Sequence, residues 1–167
     1  MEKKNYIIET ERLKLRELTL DDTDKLALVL SDPQSMRFYP HPFSREEVEH
    51  WIKWNIDNYK KYGFGLWAVI EKESGEFIGD CGITMQQVED DLFHEIGYHL
   101  RKEYRGRGVA KTLVTLLRNE TFRRGAIPYY GTGLSNLASW KTALECGFKP
   151  FWVEAESQPD EKLEFVK

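Results

Sequence analysis

The sequence is short of nearly every feature that marks a specialised environment. It has two cysteines, Cys81 and Cys146, in 167 residues. Their spacing fits neither a CxxC motif nor a metal site, which excludes a disulfide framework and points to a reducing compartment. No run approaches the roughly 18 apolar residues that cross a bilayer. The N-terminus carries Lys3 and Lys4 without an apolar stretch behind them, so the expected location is the cytoplasm, with no membrane partner. Positive charge is not in excess: 24 Lys and Arg face 28 Asp and Glu, a net charge of −4, which argues against general nucleic-acid binding. There is no internal repeat, no linker and no low-complexity tract. A 41% hydrophobic, 31% charged chain of this length has enough apolar material for one soluble domain over residues 1–167.

Two familiar phosphate-binding loops are also missing. No stretch has four residues between glycines followed by Gly-Lys-Ser/Thr. The Gly-x-Gly-x-x-Gly fingerprint fails because Lys111 stands at its third glycine. What is present is a basic turn between Leu100 and Leu113. Arg101, Lys102, Arg105 and Arg107 surround Gly106 and Gly108, opposed only by Glu103. The glycines remove side chains where a ligand can approach the backbone. The turn opens an amphipathic helix, whose free N–H groups and positive dipole end favour an anion. The arrangement reads as a pyrophosphate cradle.

Arg105-x-x-Gly108-x-Ala110 resembles the Gln/Arg-x-x-Gly-x-Gly/Ala signature of the GNAT superfamily of acetyl-CoA-dependent N-acetyltransferases. Glu95-Ile-Gly-Tyr-His-Leu100 before the turn, with Asn136-x-x-Ser139 and Gly147-Phe148 after it, resembles the branch containing the Rim-type ribosomal-protein N-terminal acetyltransferases. The resemblance runs from Thr10-Glu11-Arg12-Leu13 to about Phe165. It implies acetyl-CoA as acyl donor, an amine acceptor that is a peptide or a small molecule, no metal, and a monomer or homodimer.

Periodicity gives the elements. Tyr6 to Glu17 alternates as a half-buried strand, with Leu13 and Leu15 on one face and Arg12, Lys14 and Arg16 on the other. A helix begins at Thr19-Leu-Asp-Asp22 and stops at Ser31-Asp-Pro33. Ser44-Arg-Glu-Glu47 is a capping box for a second helix carrying Val48, Trp51, Ile52 and Ile56. Strands follow at 66–71 and 77–84, the second with room at Gly79 and Gly82, then a polar turn at 86–91 and a strand at 93–100. The helix after the basic turn places Val109, Leu113, Leu116 and Leu117 on one stripe and closes at Arg123-Arg124-Gly125. A strand at 127–134, a helix at 136–146 and a hairpin of 148–155 with 162–166 complete the chain. The order β-α-α-β-β-β-α-β-α-β-β predicts an α+β sandwich with a mostly antiparallel sheet. The strands at 93–100 and 127–134, joined through a helix, should be parallel. Pro128, Gly131 and Gly133 are odd within such a strand. The resemblance accounts for them: it implies a GNAT-like twisted sheet with helices on both faces, in which this parallel pair splays apart to admit the thioester arm.

Acetyl transfer to an amine needs a held thioester, a neutral amine, a stabilised oxyanion and a proton for the departing thiolate. By resemblance, the N–H groups of Arg105, Gly106, Arg107, Gly108, Val109 and Ala110 bind the pyrophosphate, and Tyr98, His99 and Leu100 lie along the pantetheine arm like an added strand. Glu95 matches the family's strand glutamate, a base acting directly or through water. His94 and His99 are rival bases, and Asp80 is a more distant one. Asn136 suits a helix N-cap and matches a residue that bonds the cofactor arm. Ser139 matches a serine near the sulfur. The tyrosine acid that many relatives carry four residues later is Ala143 here, so Ser139 is the candidate acid. Arg37, Phe38, Tyr39 and His41, in a proline-bracketed loop, are the candidate acceptor wall. The expected acceptor is a protein or peptide N-terminal α-amine. The competing expectations are a small amine (drug, amino acid or polyamine) and a non-catalytic acyl-CoA sensor.

Overall fold

Local rules set most of the elements in the computed structural model, which describes residues 5–88, 90–133, 135–152 and 162–166. Those residues belong to two compact units, Met1–Gly82 with Tyr98–Gly106, and Ile83–Gly97 with Arg107–Lys167.

In the first unit the expected strand 6–17 is broken into β1 (Ile8–Glu9) and β2 (Leu13–Glu17). The break is a tight turn: the Leu13 N–H donates to the Thr10 hydroxyl at 2.9 Å and the Thr10 N–H to the Leu13 carbonyl at 2.8 Å. The strand's outer face is also less exposed than alternation implies. Arg16 is 7% exposed and Asp22 2%, and the guanidinium grips the carboxylate with two bonds of 2.7 and 2.8 Å. A buried arginine is stable only when paired this way. Although burial alone pushes its pKa up, Asp22 lies below the usual carboxylate range because Arg16 and the Thr19 N–H hold its charged form.

A 3-10 turn leads into α1 (Thr23–Leu30), and α2 (Arg45–Tyr62) opens with the expected capping box. The Ser44 N–H reaches the Glu47 carboxylate at 2.7 Å, and the Glu47 N–H returns to the Ser44 hydroxyl at 3.2 Å. Leu18, Leu26, Leu30, Met36, Val48 and Ile52 form this unit's core with Ala68 and Phe77. The strand order is β1-β2-β3-β4-β5, with β3 at Leu66–Glu71, β4 at Phe77–Val88 and β5 at Asp91–Leu100. β1, β2, β3 and β4 pair antiparallel. The two glycines of β4 are close-approach positions: a Cβ on Gly79 would stand 1.9 Å from the His99 carbonyl oxygen, and one on Gly82 1.9 Å from that of Gly65. The expected turn at 86–91 is largely strand, since β4 runs through Gln87 and β5 starts at Asp91. The polar side chains there report exposure rather than a turn, and Glu89 is outside the described residues.

The second unit carries α3 (Val109–Arg123), β6 (Pro128–Gly133), α4 (Leu137–Glu145), β7 (Lys149–Trp152) and β8 (Lys162–Val166). The expected continuations at Leu134 and residues 153–155 fall outside the described residues. Val109, Leu113 and Leu117 are buried, and Arg124 with Gly125 (φ 79°) ends α3 as the composition implied. β5 and β6 are parallel, but the described register between them has two pairs, His94 with Pro128 and Glu95 with Tyr129. On its other side β6 pairs antiparallel with β8 from Tyr129 to Gly133, and β8 with β7. Pro128 opens its strand, where a missing N–H is tolerated. The architecture is α+β: β5 and β6 run parallel, while β1 to β4, and β6 with β8 and β7, pair antiparallel.

Candidate active site

The turn before α3 has the backbone that its glycines require. Gly106 and Gly108 have φ of 71° and 76°, left-handed values that a side chain resists, and among the described residues no atom beyond the chain neighbours lies within 4 Å of where either Cβ would be. The space over the turn is therefore open, and the glycines answer to conformation rather than to crowding by the chain itself. Gly108 is the N-cap of α3 and brings no side chain to it. The first intrahelical bond there runs from the Thr112 N–H to the Gly108 carbonyl at 3.1 Å. The N–H groups of Val109, Ala110 and Lys111 precede it, at the positive end of a 15-residue helix.

Arg105 is less available than its sequence position suggests. Its guanidinium donates to the Leu100 carbonyl at 2.9 and 3.2 Å and to the Ser35 hydroxyl at 2.8 Å. Burial, with Arg37 nearby, lowers its pKa from the ordinary value. It ties the end of β5 to the loop after α1, and the Leu100 carbonyl is engaged inside the chain. Tyr98 is half-buried on β5, and Arg107 is exposed beside Gly108.

In the second unit, the odd glycine of β6 has a cause. A Cβ on Gly131 would stand 2.9 Å from Glu95 Oε1, so the Glu95 carboxylate occupies the space that any other residue would fill. Glu95 is half-buried. His94, its neighbour, has its pKa lowered by burial. Asn136 caps α4 as expected, accepting the Ser139 N–H at 3.3 Å. Ser139 has a partner that the sequence reading missed: the buried Tyr130 hydroxyl lies 2.7 Å from Ser139 Oγ. Alanine at 143 removes one tyrosine from α4, while β6 brings another to the serine. The signal was Tyr129-Tyr130 in the strand before the helix, but which of the two faces inward depends on strand register.

In the first unit, the loop after α1 displays Phe38 and Tyr39, 43% and 40% exposed. The Arg37 guanidinium lies over the Phe38 ring at 4.6 Å, and His41 bonds the Glu47 carboxylate at 2.8 Å. Tyr39 is not isolated. Its hydroxyl lies 2.6 Å from His99 Nε2, while His99 Nδ1 lies 2.7 Å from Asp80 Oδ1. Asp80 Oδ2 accepts the Trp51 indole N–H at 3.0 Å. Burial disfavours a charged His99, yet Tyr39 and the Asp80 carboxylate outweigh it and raise its pKa to about 10. Residues that the sequence placed separately on a helix (Trp51), among the rival bases (Asp80, His99), along the cofactor arm (His99) and in the acceptor wall (Tyr39) thus form one hydrogen-bonded chain. Its clue in sequence was an aspartate within the apolar run 77–83.

A family model described as an acetyltransferase (GNAT) domain matches residues 12–149. The "Uncharacterized protein YkkB" of Bacillus subtilis (strain 168) is 36% identical over 105 residues, 61% of this chain and 60% of that protein. The chain thus spans about 60% of the length of the curated relatives it matches. Among solved structures, an acetyltransferase from Agrobacterium tumefaciens str. C58 superposes with a TM-score of 0.82 at 23% identity, covering 96% of this chain and 92% of its own. RimL, a ribosomal L7/L12 alpha-N-protein acetyltransferase solved with coenzyme A, gives 0.78 at 19% identity, covering 98% and 97%. At such identities the likeness establishes the fold. Among the described residues, no helix is long and apolar enough to cross a membrane.

Proposed function

We infer the function from one premise: the chain belongs to the GNAT acetyltransferase family, whose model spans residues 12–149. The activity is transfer of an acetyl group from acetyl-CoA to a primary amine. Acetyl-CoA supplies the activated thioester. The observation that carries the reading is the turn into α3, where two left-handed glycines under open space precede three N–H groups at a helix start. Those N–H groups, with those of Gly106 to Gly108, are suited to a pyrophosphate, whereas the expected Arg105 N–H is spent on the Lys102 carbonyl at 3.3 Å. Asn136 keeps its capping role and orients the first turn of α4. The Glu95 carboxylate takes the proton of the acceptor ammonium, directly or through one water. As the C–N bond forms and the C–S bond breaks, Ser139 Oγ, held by the Tyr130 hydroxyl at 2.7 Å, passes a proton to the departing sulfur and recovers one from the nitrogen, which sheds its second proton as the amide forms.

The acceptor is a protein or peptide N-terminal α-amine. Only a neutral amine attacks. At pH 7 an α-amine of pKa about 7.7–8 is roughly 10% neutral, whereas a lysine of about 10.4 is below 0.1%. With one carboxylate base, the α-amine is favoured by about a hundredfold. RimL, one of the solved structures that share this fold, is described as an alpha-N-protein acetyltransferase, which supports the same choice.

Saturating acetyl-CoA is expected to raise the melting temperature, since a ligand at a hundred times its Kd adds about 2.7 kcal/mol to the folded state. Gly108→Val puts a β-branched residue at φ 76° and a side chain into the open space, and is expected to abolish that shift. An unshifted wild-type melt at millimolar acetyl-CoA refutes the cofactor assignment. The acceptor is tested with two matched peptides, one with a free N-terminus, one blocked and carrying an internal lysine. The free peptide should release thiol at least tenfold faster per unit enzyme. Equal rates, or reaction with small amines alone, refute the N-terminal acceptor.

A further inference from the structure

Arg105 heads the Arg-x-x-Gly-x-Ala motif, yet the pyrophosphate cradle makes no use of its N–H, which goes to the Lys102 carbonyl. Its guanidinium turns back along the chain, to the Leu100 carbonyl at 2.9 and 3.2 Å and the Ser35 hydroxyl at 2.8 Å. Every bond in this group has one possible direction, because a guanidinium only donates and a carboxylate only accepts. Asp32 Oδ2 takes the Ser35 O–H at 2.6 Å and the Ser35 N–H at 2.8 Å. The Ser35 oxygen is thereby turned to Arg105 as an acceptor. The Ser35 hydroxyl and N–H hold the Asp32 carboxylate below its usual range, and Lys102 and Arg105 add to the effect. Asp32, Ser35, Arg105 and the Leu100 carbonyl thus form one fixed series, and all four residues lie in one compact unit.

The place of that carbonyl gives the series a task. The His99 carbonyl faces β4, where a Cβ on Gly79 would stand 1.9 Å from it, and the Arg101 N–H donates to the Ile78 carbonyl of β4 at 2.8 Å. Successive residues of a strand turn their N–H and C=O to opposite edges, so those of Leu100 point away from β4. Leu100 is also the last residue of β5, just ahead of the turn that carries the pyrophosphate N–H groups. The arm of acetyl-CoA joins its pyrophosphate to its thioester and contains amides, which pair with a strand edge as another strand does. Two donors from Arg105 fill both lone pairs of the Leu100 carbonyl. An arm amide at that position can therefore meet Leu100 through its own carbonyl oxygen and not through its N–H. We propose that Arg105 is a positioning residue for the thioester arm of acetyl-CoA, held in place by Ser35 and Asp32: by filling the Leu100 carbonyl it sets the register in which the arm pairs with β5, and so how far along the strand the thioester reaches. The inference rests on the acetyl-CoA reading and gives the first residue of the motif a part that does not depend on its charge meeting phosphate.

The test is calorimetric titration with two ligands, acetyl-CoA and 3′-phosphorylated ADP, which keeps the pyrophosphate and lacks the arm. Arg105→Lys keeps the charge and loses the planar fork. It should weaken acetyl-CoA about 10- to 100-fold and leave the nucleotide within about twofold. Ser35→Ala removes the acceptor that holds the guanidinium. It should weaken acetyl-CoA by a smaller factor, about fivefold, with the same selectivity. Equal losses on both ligands would mean that Arg105 shapes the turn as a whole, and overturn the proposal; so would wild-type affinity for acetyl-CoA in both variants. If Arg105→Lys does not fold, Ser35→Ala decides by the same comparison. A wild type that binds neither ligand refutes the acetyl-CoA reading and this inference with it. A wild type that binds acetyl-CoA, with variants that do not separate the two ligands, overturns this inference alone.

Discussion

Glu95→Gln is expected to lower turnover roughly 10²–10⁴-fold, the range set by removing a positioned general base, while leaving the melting temperature nearly unchanged. The substitution conserves volume, and the side chain is half-buried rather than fully enclosed, so packing over Gly131 survives. What is lost is an anionic oxygen that can take a proton from the acceptor ammonium. The pH profile carries the diagnosis. With the base gone the amine must shed its proton to solvent, so the rising limb should move upward toward the amine's own pKa. Gly131→Ala tests the same atom from the other side, because its Cβ would stand 2.9 Å from Glu95 Oε1 and must displace it. Its loss should fall between wild type and Glu95→Gln. Ser139→Ala should slow turnover less, with acetyl-CoA affinity unchanged, because the Asn136 cap uses the Ser139 backbone N–H and not its hydroxyl. A wild-type rate in Glu95→Gln would remove Glu95 from the chemistry.

Features encoded within a few residues were legible in the sequence. The capping box of α2, the cap of α4 at Asn136 and the paired glycines of the turn into α3 depend on near neighbours, and the structure has each where the spacing puts it. Gly131 was legible as an anomaly but not as a cause, because the carboxylate that needs its space arrives from another strand. The polar pairings were hidden for the same reason. Arg16 on an alternating strand reads as solvent-facing until Asp22 closes on it. Tyr130 reads as strand filler until α4 turns Ser139 toward it. Asp80 and His99 are 19 residues apart, and Tyr39 is 60 from His99. No period or motif links positions whose contact is made by strand register and by the path of a loop. The residues that a sequence leaves unexplained are thus the ones that folding brings together.

Asp80→Ala should be among the most damaging single changes in the protein, and its effect should depend on pH. Removing one member of a buried ion pair typically costs about 3–5 kcal/mol, and at this chain length that is a fall in melting temperature on the order of 10 °C. The substitution leaves the Trp51 N–H and the His99 Nδ1–H without their acceptor. The pH dependence follows from the raised pKa of His99. In the unfolded chain the imidazole titrates near its ordinary value of about 6.5; in the fold it holds its proton to about 10. The pair's contribution is therefore complete below about pH 6.5 and declines as pH rises, because only the folded state keeps the proton. Above pH 10 it is gone. Wild-type stability should fall between pH 7 and 10, and Asp80→Asn, which keeps the shape without the charge, should flatten that slope. The deficit of Asp80→Ala relative to wild type should be largest at pH 6 and shrink toward pH 10. Denaturant melts at pH 6, 8 and 10 measure both. A constant deficit across that range would mean that His99 is neutral beside Asp80.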